Sequence, residues 1–185
     1  MASSGAAPIG AASRPIVLIG MMGSGKSTVG RRLAARLGRR YVDADRFLEE
    51  RCGVAIATIF ELEGEDGFRR RETAILDELS RLPGIVLATG GGAVTREENR
   101  RMLAERCVVV FLHASIPDLW QRLRRDRTRP LLQTENPRER IAELLALREP
   151  LYREIADIIV VSARQPVDEL VADIIEALPD ECRAR

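Results

Sequence analysis

The sequence predicts an α/β domain: a five-stranded parallel sheet covered by helices on both faces. Three observations carry this. Short apolar runs alternate with amphipathic stretches along nearly the whole chain; the runs are apolar throughout rather than at every second residue; and each is followed by a stretch with helical spacing. Strands apolar on both sides need cover on both faces, and parallel strands need the right-handed crossover helices that supply it. In such a sheet, ligands belong at the carboxyl ends of the strands. At 185 residues the expectation is one domain, assigned to residues 15–178.

Residues 1–14 are rich in Ala, Ser and Gly and read as a disordered tail, and residues 179–185 as a C-terminal tail. Ile16-Val17-Leu18-Ile19 is a β-branched run ending at Gly20, a buried strand. From Lys26 to Leu37, the positions of Val29, Leu33, Ala34 and Leu37 follow a helical period, closed by Gly38. Arg40-Tyr41-Val42 leads into Asp43-Ala44-Asp45 as a second strand. Residues 46–81 read as helical, with breaks near Gly53 and Gly64. Ile85–Ala88 is a third strand, halted by Gly90-Gly91-Gly92. A helix over about 95–106, a strand over 107–112, a helix from about 117, a helix over about 138–154, a strand over 157–161 and a helix over 167–177 complete the order.

Composition narrows the function. With 29 Lys+Arg against 28 Asp+Glu, the net charge of +1 leaves no basic excess to neutralise a nucleic acid, and 4% aromatic residues are too few for a base-stacking platform. Cys52, Cys107 and Cys182 lie far apart and the chain has one His, which argues against a zinc cluster or a disulfide scaffold. No apolar run approaches the roughly 20 residues a membrane span needs. A cytoplasmic enzyme is the expectation. Lys26 is the one Lys among the 29 basic residues, so it falls where a compact ammonium on a flexible stem is wanted and a planar guanidinium is not.

That Lys lies in Gly20-Met-Met-Gly23-Ser24-Gly25-Lys26-Ser27, a full G-x(4)-G-K-[ST] match with Thr28 behind it, a strand before it and a helix after it. The glycines let successive N–H groups turn inward, and with the helix N-terminus they form a nest for nucleotide phosphates. Lys26 would reach the β- and γ-phosphates, and the Ser27 hydroxyl would bind Mg²⁺. The motif indicates ATP or GTP, not what is done with it.

Three features address the acceptor. Asp43 and Asp45 lie two apart, on one side of the strand if it is still extended there; one would orient or deprotonate a hydroxyl and the other would serve Mg²⁺. In Phe60-x3-Gly64-Glu65-x2-Phe68-Arg69-x2-Glu72, Arg69 and Glu72 share a helix face, which would hold a guanidinium for a substrate carboxylate, with Phe60 and Phe68 as walls. Gly90, Gly91 and Gly92 would offer bare backbone to a small ligand. No Asp follows this third strand, so Mg²⁺ would depend on Ser27 and Asp43. Residues 121–130, QRLRRDRTRP, hold five Arg and read as a lid over phosphates. Arg148, in LREPLY, would clamp a carboxylate.

Taken in order, GxxGSGKST, DxD, IFxxxGExxFRxxE, TGGGA, RPLL and RxPLY resemble shikimate kinase from about residue 14 to 177. The resemblance implies a fold like that of nucleoside monophosphate kinases with strand order 2-3-1-4-5, a substrate-binding segment over about 44–72 and a lid over about 122–136. It implies transfer of the γ-phosphate of ATP to the 3-hydroxyl of shikimate by a monomer using Mg²⁺, toward chorismate and the aromatic amino acids. Asp45, Arg69, Arg148 and the Gly90–Gly92 loop would bind shikimate, with Asp45 the candidate base. Lys26, Asp45 and Arg129 would be catalytic, Ser27 and Asp43 would hold the metal, and Gly23, Ser24, Gly25, Thr28, Arg122, Arg164 and Gln165 would complete the ATP site. The alternatives are another small-molecule kinase of this fold, such as gluconate kinase, and a nucleotide-dependent module without transfer activity.

Overall fold

The structure, a computed structural model, describes residues 14–124, 132–162 and 165–183. Its centre is a parallel sheet of β1 (Ile16–Ile19), β2 (Arg40–Asp43), β3 (Ile85–Ala88), β4 (Val108–His113) and β5 (Ile158–Val161), in the order β2-β3-β1-β4-β5. β1 pairs with β3 from Ile16↔Val86 and with β4 from Ile16↔Val108. Side chains alternate between two buried layers: Val17 and Ile19 join one core, Ile16 and Leu18 the other. This two-sided burial is why the runs are apolar throughout. β5 is an edge strand, and Ile159 and Val161 stay exposed.

One layer is filled by α1 (Lys26–Leu37) and α7 (Val167–Ala177), through Val29, Leu33, Leu37, Leu170 and Ile174. The other takes α2 (Ala44–Cys52), α3 (Ile56–Leu79), α4 (Glu97–Arg106), α5 (Ile116–Leu123) and α6 (Pro137–Ile155). The strand order reverses about β1, so the loops leaving β1, β2 and β3 emerge together at the carboxyl edge. The breaks expected in the long helical stretch fall at Gly53, which caps the end of α2 with φ 69°, and at Gly64, which bends α3 with φ 69° and ψ −175°.

Three expectations are corrected. The second strand stops at Asp43, because the Asp43 carboxylate accepts the Arg46 backbone N–H at 3.3 Å and starts α2 as its N-cap; Asp45 is therefore helical. The helix expected from about residue 95 starts at Glu97, after a separate 3₁₀ turn at Ala93–Thr95 that Arg96, in extended conformation, divides from α4. Residues 179–185, expected as a tail, contain a short helix α8 (Asp180–Arg183) whose Cys182 is fully buried beside Leu178. Arg39 holds that helix by donating to the Cys182 carbonyl at 2.8 Å.

Candidate active site

The loop from β1 to α1 turns on glycines whose backbones no other residue adopts easily. Gly20 has φ 142° and Gly25 has φ 97°. A Cβ on Gly20 would lie 2.6 Å from the Leu112 carbonyl oxygen. Lys26, the first residue of α1, is buried and donates from Nζ to the carbonyls of Gly20 at 2.8 Å and Met21 at 2.9 Å. Its ammonium thus lies against the loop it follows, at the positive end of α1. Ser24 Oγ is buried with no hydrogen-bond partner, and Thr28 is exposed on the first turn of the helix.

A brace unseen in the sequence holds this loop from outside. Ser162, just after β5, donates from Oγ to the Ser24 carbonyl at 2.7 Å. Arg122 on α5 donates to the Gly23 carbonyl at 3.0 Å, to Ser162 Oγ at 3.2 Å and to the Ser162 carbonyl at 3.0 Å. Arg122, expected to help complete the ATP site, thus lies against the phosphate loop. Gln165 donates to Asp173 at 3.4 Å. Arg129 and Arg164, and residues 125–131 of the expected lid, lie outside the described residues.

Asp43 faces α1. Its Oδ2 accepts the Ser27 hydroxyl at 3.1 Å and the Tyr41 hydroxyl at 3.1 Å, so the two residues expected at a metal are brought together. Burial pushes the Tyr41 phenol up to about 12, so it remains a donor at neutral pH.

Around Gly90, Gly91 and Gly92, the expected acceptor residues converge from three helices, α2, α3 and α6. A Cβ on Gly90 would sit 2.8 Å from Asp45 Oδ1 and 2.9 Å from Glu72 Oε1. One on Gly91 would lie 3.2 Å from the Met22 nitrogen of the phosphate loop and 3.7 Å from Arg148 Nη1. The glycines therefore make room for charged side chains as well as for bare backbone. Asp45 reaches this loop from α2 rather than from β2.

Arg69 donates from Nη1 to Glu72 Oε2 at 2.7 Å, the pair foreseen from their spacing, and from Nη2 to Glu65 at 3.3 Å. Arg69, Glu72 and Arg148 are only 7%, 2% and 6% exposed, and Arg69 Nε, Glu72 Oε1 and Arg148 Nη1 have no hydrogen-bond partner. Buried polar atoms left unpaired are costly unless something else satisfies them. Burial raises the Glu72 pKa, opposed by Arg69 and reinforced by Asp45; burial also lowers that of Arg148, opposed by Tyr152. Phe60 and Phe68 stack on each other with centroids 4.6 Å apart, and Phe68 belongs to the core while its ring lies 5.1 Å from the Arg69 guanidinium. Tyr152, which sequence reasoning passed over, is fully buried and donates its hydroxyl to the Gly91 carbonyl. Beside Arg69, a cavity of about 600 Å³ opens between Gly64 and Arg96.

A phosphate loop at the switch point of a 2-3-1-4-5 sheet, next to a pocket that presents two guanidiniums and two carboxylates, defines the class: a P-loop kinase acting on a small molecule. The sequence model of the shikimate kinase family matches residues 22–179. The chain belongs to the shikimate kinase family, whose members transfer phosphate from ATP to shikimate. The shikimate kinase of Bordetella avium is 52% identical over 164 residues, 89% of this chain and 78% of that one. A solved structure of shikimate kinase from Acinetobacter baumannii in complex with shikimate superposes with a TM-score of 0.86 at 46% identity, covering 89% of this chain and 92% of that one. A gluconokinase from Sinorhizobium meliloti shares the fold alone, at 22% identity and a TM-score of 0.62 over 90% of this chain and 91% of that one. Among the described residues, no helix is long and apolar enough to cross a membrane.

Proposed function

We propose that this chain moves the γ-phosphoryl group of ATP to the 3-hydroxyl of shikimate with the residues named above, as a cytoplasmic monomer. The observation that carries the reading is the pair of buried, incompletely bonded guanidiniums, Arg69 and Arg148, aimed at the Gly90–Gly92 loop beside the phosphate loop. Two such cations call for one anion between them, and a ring carboxylate supplies it with charge-assisted hydrogen bonds. Glu72 keeps Arg69 from turning away.

With the carboxylate clamped, Asp45 holds the ring hydroxyls and takes the proton of the attacking oxygen as its bond to phosphorus forms and the bond to the ADP oxygen breaks. Lys26 leaves the loop carbonyls for the β- and γ-phosphates. Gly23, Ser24, Gly25 and Thr28 present backbone N–H groups to the phosphates. Arg129 is assigned to the transferring phosphoryl group, and Arg122, Arg164 and Gln165 are assigned to the nucleotide.

Ser27 and Asp43 fit Mg²⁺: both offer hard oxygens, and a site with two protein donors suits an ion that takes its remaining ligands from phosphates and water. When bound, the ion neutralises charge on the β- and γ-phosphates. The test of the whole reading is ADP release with shikimate, with gluconate and with no acceptor. Release that depends on shikimate is expected; equal release in all three reactions would refute the acceptor assignment.

A further inference from the structure

The Tyr41 hydroxyl has no part in the chemistry above, yet the surrounding structure is arranged to place it. Tyr41 and Asp43 lie two apart on β2, so both side chains face α1. The ring rests on Gly30 in the middle of that helix, where a Cβ would come within 2.6 Å of Tyr41 Cε2. Glycine weakens a helix interior, and here it vacates the space the ring occupies. The Arg31 guanidinium lies 5.5 Å from the ring centroid. A phenylalanine would fill the same volume, so packing explains the ring but not the hydroxyl.

That hydroxyl donates to Asp43 Oδ2 at 3.1 Å, the oxygen that also accepts from Ser27 at 3.1 Å. On its other side, Asp43 Oδ1 accepts the Arg46 backbone N–H at 3.3 Å. Three donors from three elements thus hold one carboxylate. We infer that Tyr41 is a positioning residue for the divalent cation: it fixes the plane of the Asp43 carboxylate, so that Ser27 keeps its proton on Asp43 and turns its lone pairs outward. Outer partners of this kind orient ligands and tune affinity for the metal. The inference rests on reading Ser27 and Asp43 as the metal pair.

The experiment is a Mn²⁺ titration of the enzyme with ADP, following the free-ion signal by electron paramagnetic resonance. It uses the parent protein, Tyr41→Phe, Asp43→Asn and the double variant, with thermal unfolding as a check on folding. Tyr41→Phe is expected to weaken Mn²⁺ binding roughly 10-fold. Metal-free ADP binding and shikimate binding should not change, and the loss should vanish in the Asp43→Asn background, as it must if Tyr41 acts through Asp43. Gly30→Ala, which displaces the ring, should weaken Mn²⁺ in the same direction. If Asp43→Asn weakens the metal and Tyr41→Phe does not, or if the Tyr41→Phe loss persists without Asp43, the role of Tyr41 is wrong while the metal pair stands. If Asp43→Asn binds Mn²⁺ like the parent, the metal pair and the inference fall together.

Discussion

The Arg69 guanidinium fills the space that a side chain at position 92 would need: a Cβ on Gly92 would lie 2.2 Å from Nη2 and 2.7 Å from Cζ. The glycine loop and the Arg proposed to hold the substrate carboxylate are therefore packed as one unit. Gly92→Ala should push Arg69 off its bond to Glu72 and raise the KM for shikimate roughly 10-fold or more, since hydrogen bonds to charged groups contribute about 1.5–3 kcal/mol. The KM for ATP should barely move, because the phosphate loop is not displaced. Steady-state kinetics with each substrate varied would check this, and equal changes in both constants would refute it.

Arg148 is expected to separate binding from stability. Its guanidinium is buried with Nη1 unpaired, and burial pulls its pKa below the ordinary value. Replacing a poorly compensated buried charge with an apolar side chain of similar length is often neutral or stabilising. Arg148→Met should therefore match or exceed the parent in melting temperature while losing most of its affinity for shikimate, and Arg148→Lys should restore little, lacking the planar fork. Calorimetry with both ligands and a thermal melt give the two readouts; a large fall in melting temperature would contradict the assignment.

Glu72 makes a prediction about pH. Burial raises its pKa above the ordinary 4.5 despite Arg69. Between 4.5 and the raised value the folded state then binds more protons than the unfolded chain, so stability contributed by this group is present below that window and lost as pH rises through it. Glu72→Gln should flatten the melting temperature against pH in that interval. On the acid side, protonating Glu72 removes the anion that holds Arg69, so the parent's KM for shikimate should rise at a pH above 4.5 while the fold persists. A parent and variant with parallel pH profiles would exclude Glu72 as the cause.

What the sequence made legible was whatever is written in local spacing. The phosphate loop is contiguous, and Arg69 with Glu72 sits at i, i+3 on one helix, so both could be read from the chain. The strand carrying Asp43 could be read too, but not its end: a carboxylate that alternates along a strand can also cap a helix, and the cap wins at Asp43 because the Arg46 N–H is there to take. Side chains that act across the fold were silent. Tyr152 meets Gly91 from 61 residues away and Ser162 meets Ser24 from 138, and neither distance leaves a periodic trace. Cys182 stands alone among polar neighbours, so nothing in its local pattern marks the surface that buries it.

Lys26 combines an observed contact with a proposed one, and one substitution pair tests whether its charge or its shape matters. In the structure its ammonium bonds the carbonyls of Gly20 and Met21, which steadies the loop; in the reaction it would meet the phosphates. Lys26→Ala removes both and should lower kcat roughly 100- to 1,000-fold, the scale of losing one preorganised electrostatic donor. Lys26→Arg keeps the charge but offers a wider planar group, and the site is nearly closed, with Lys26 only 9% exposed. Arg is abundant elsewhere in this chain, so a guanidinium is not foreign to it; the shape of the loop is what selects an ammonium. Lys26→Arg should therefore stay close to Lys26→Ala in kcat, and both should keep their affinity for shikimate. If Lys26→Arg turned over at the parent's rate, charge alone would suffice and the loop would not be choosing by shape.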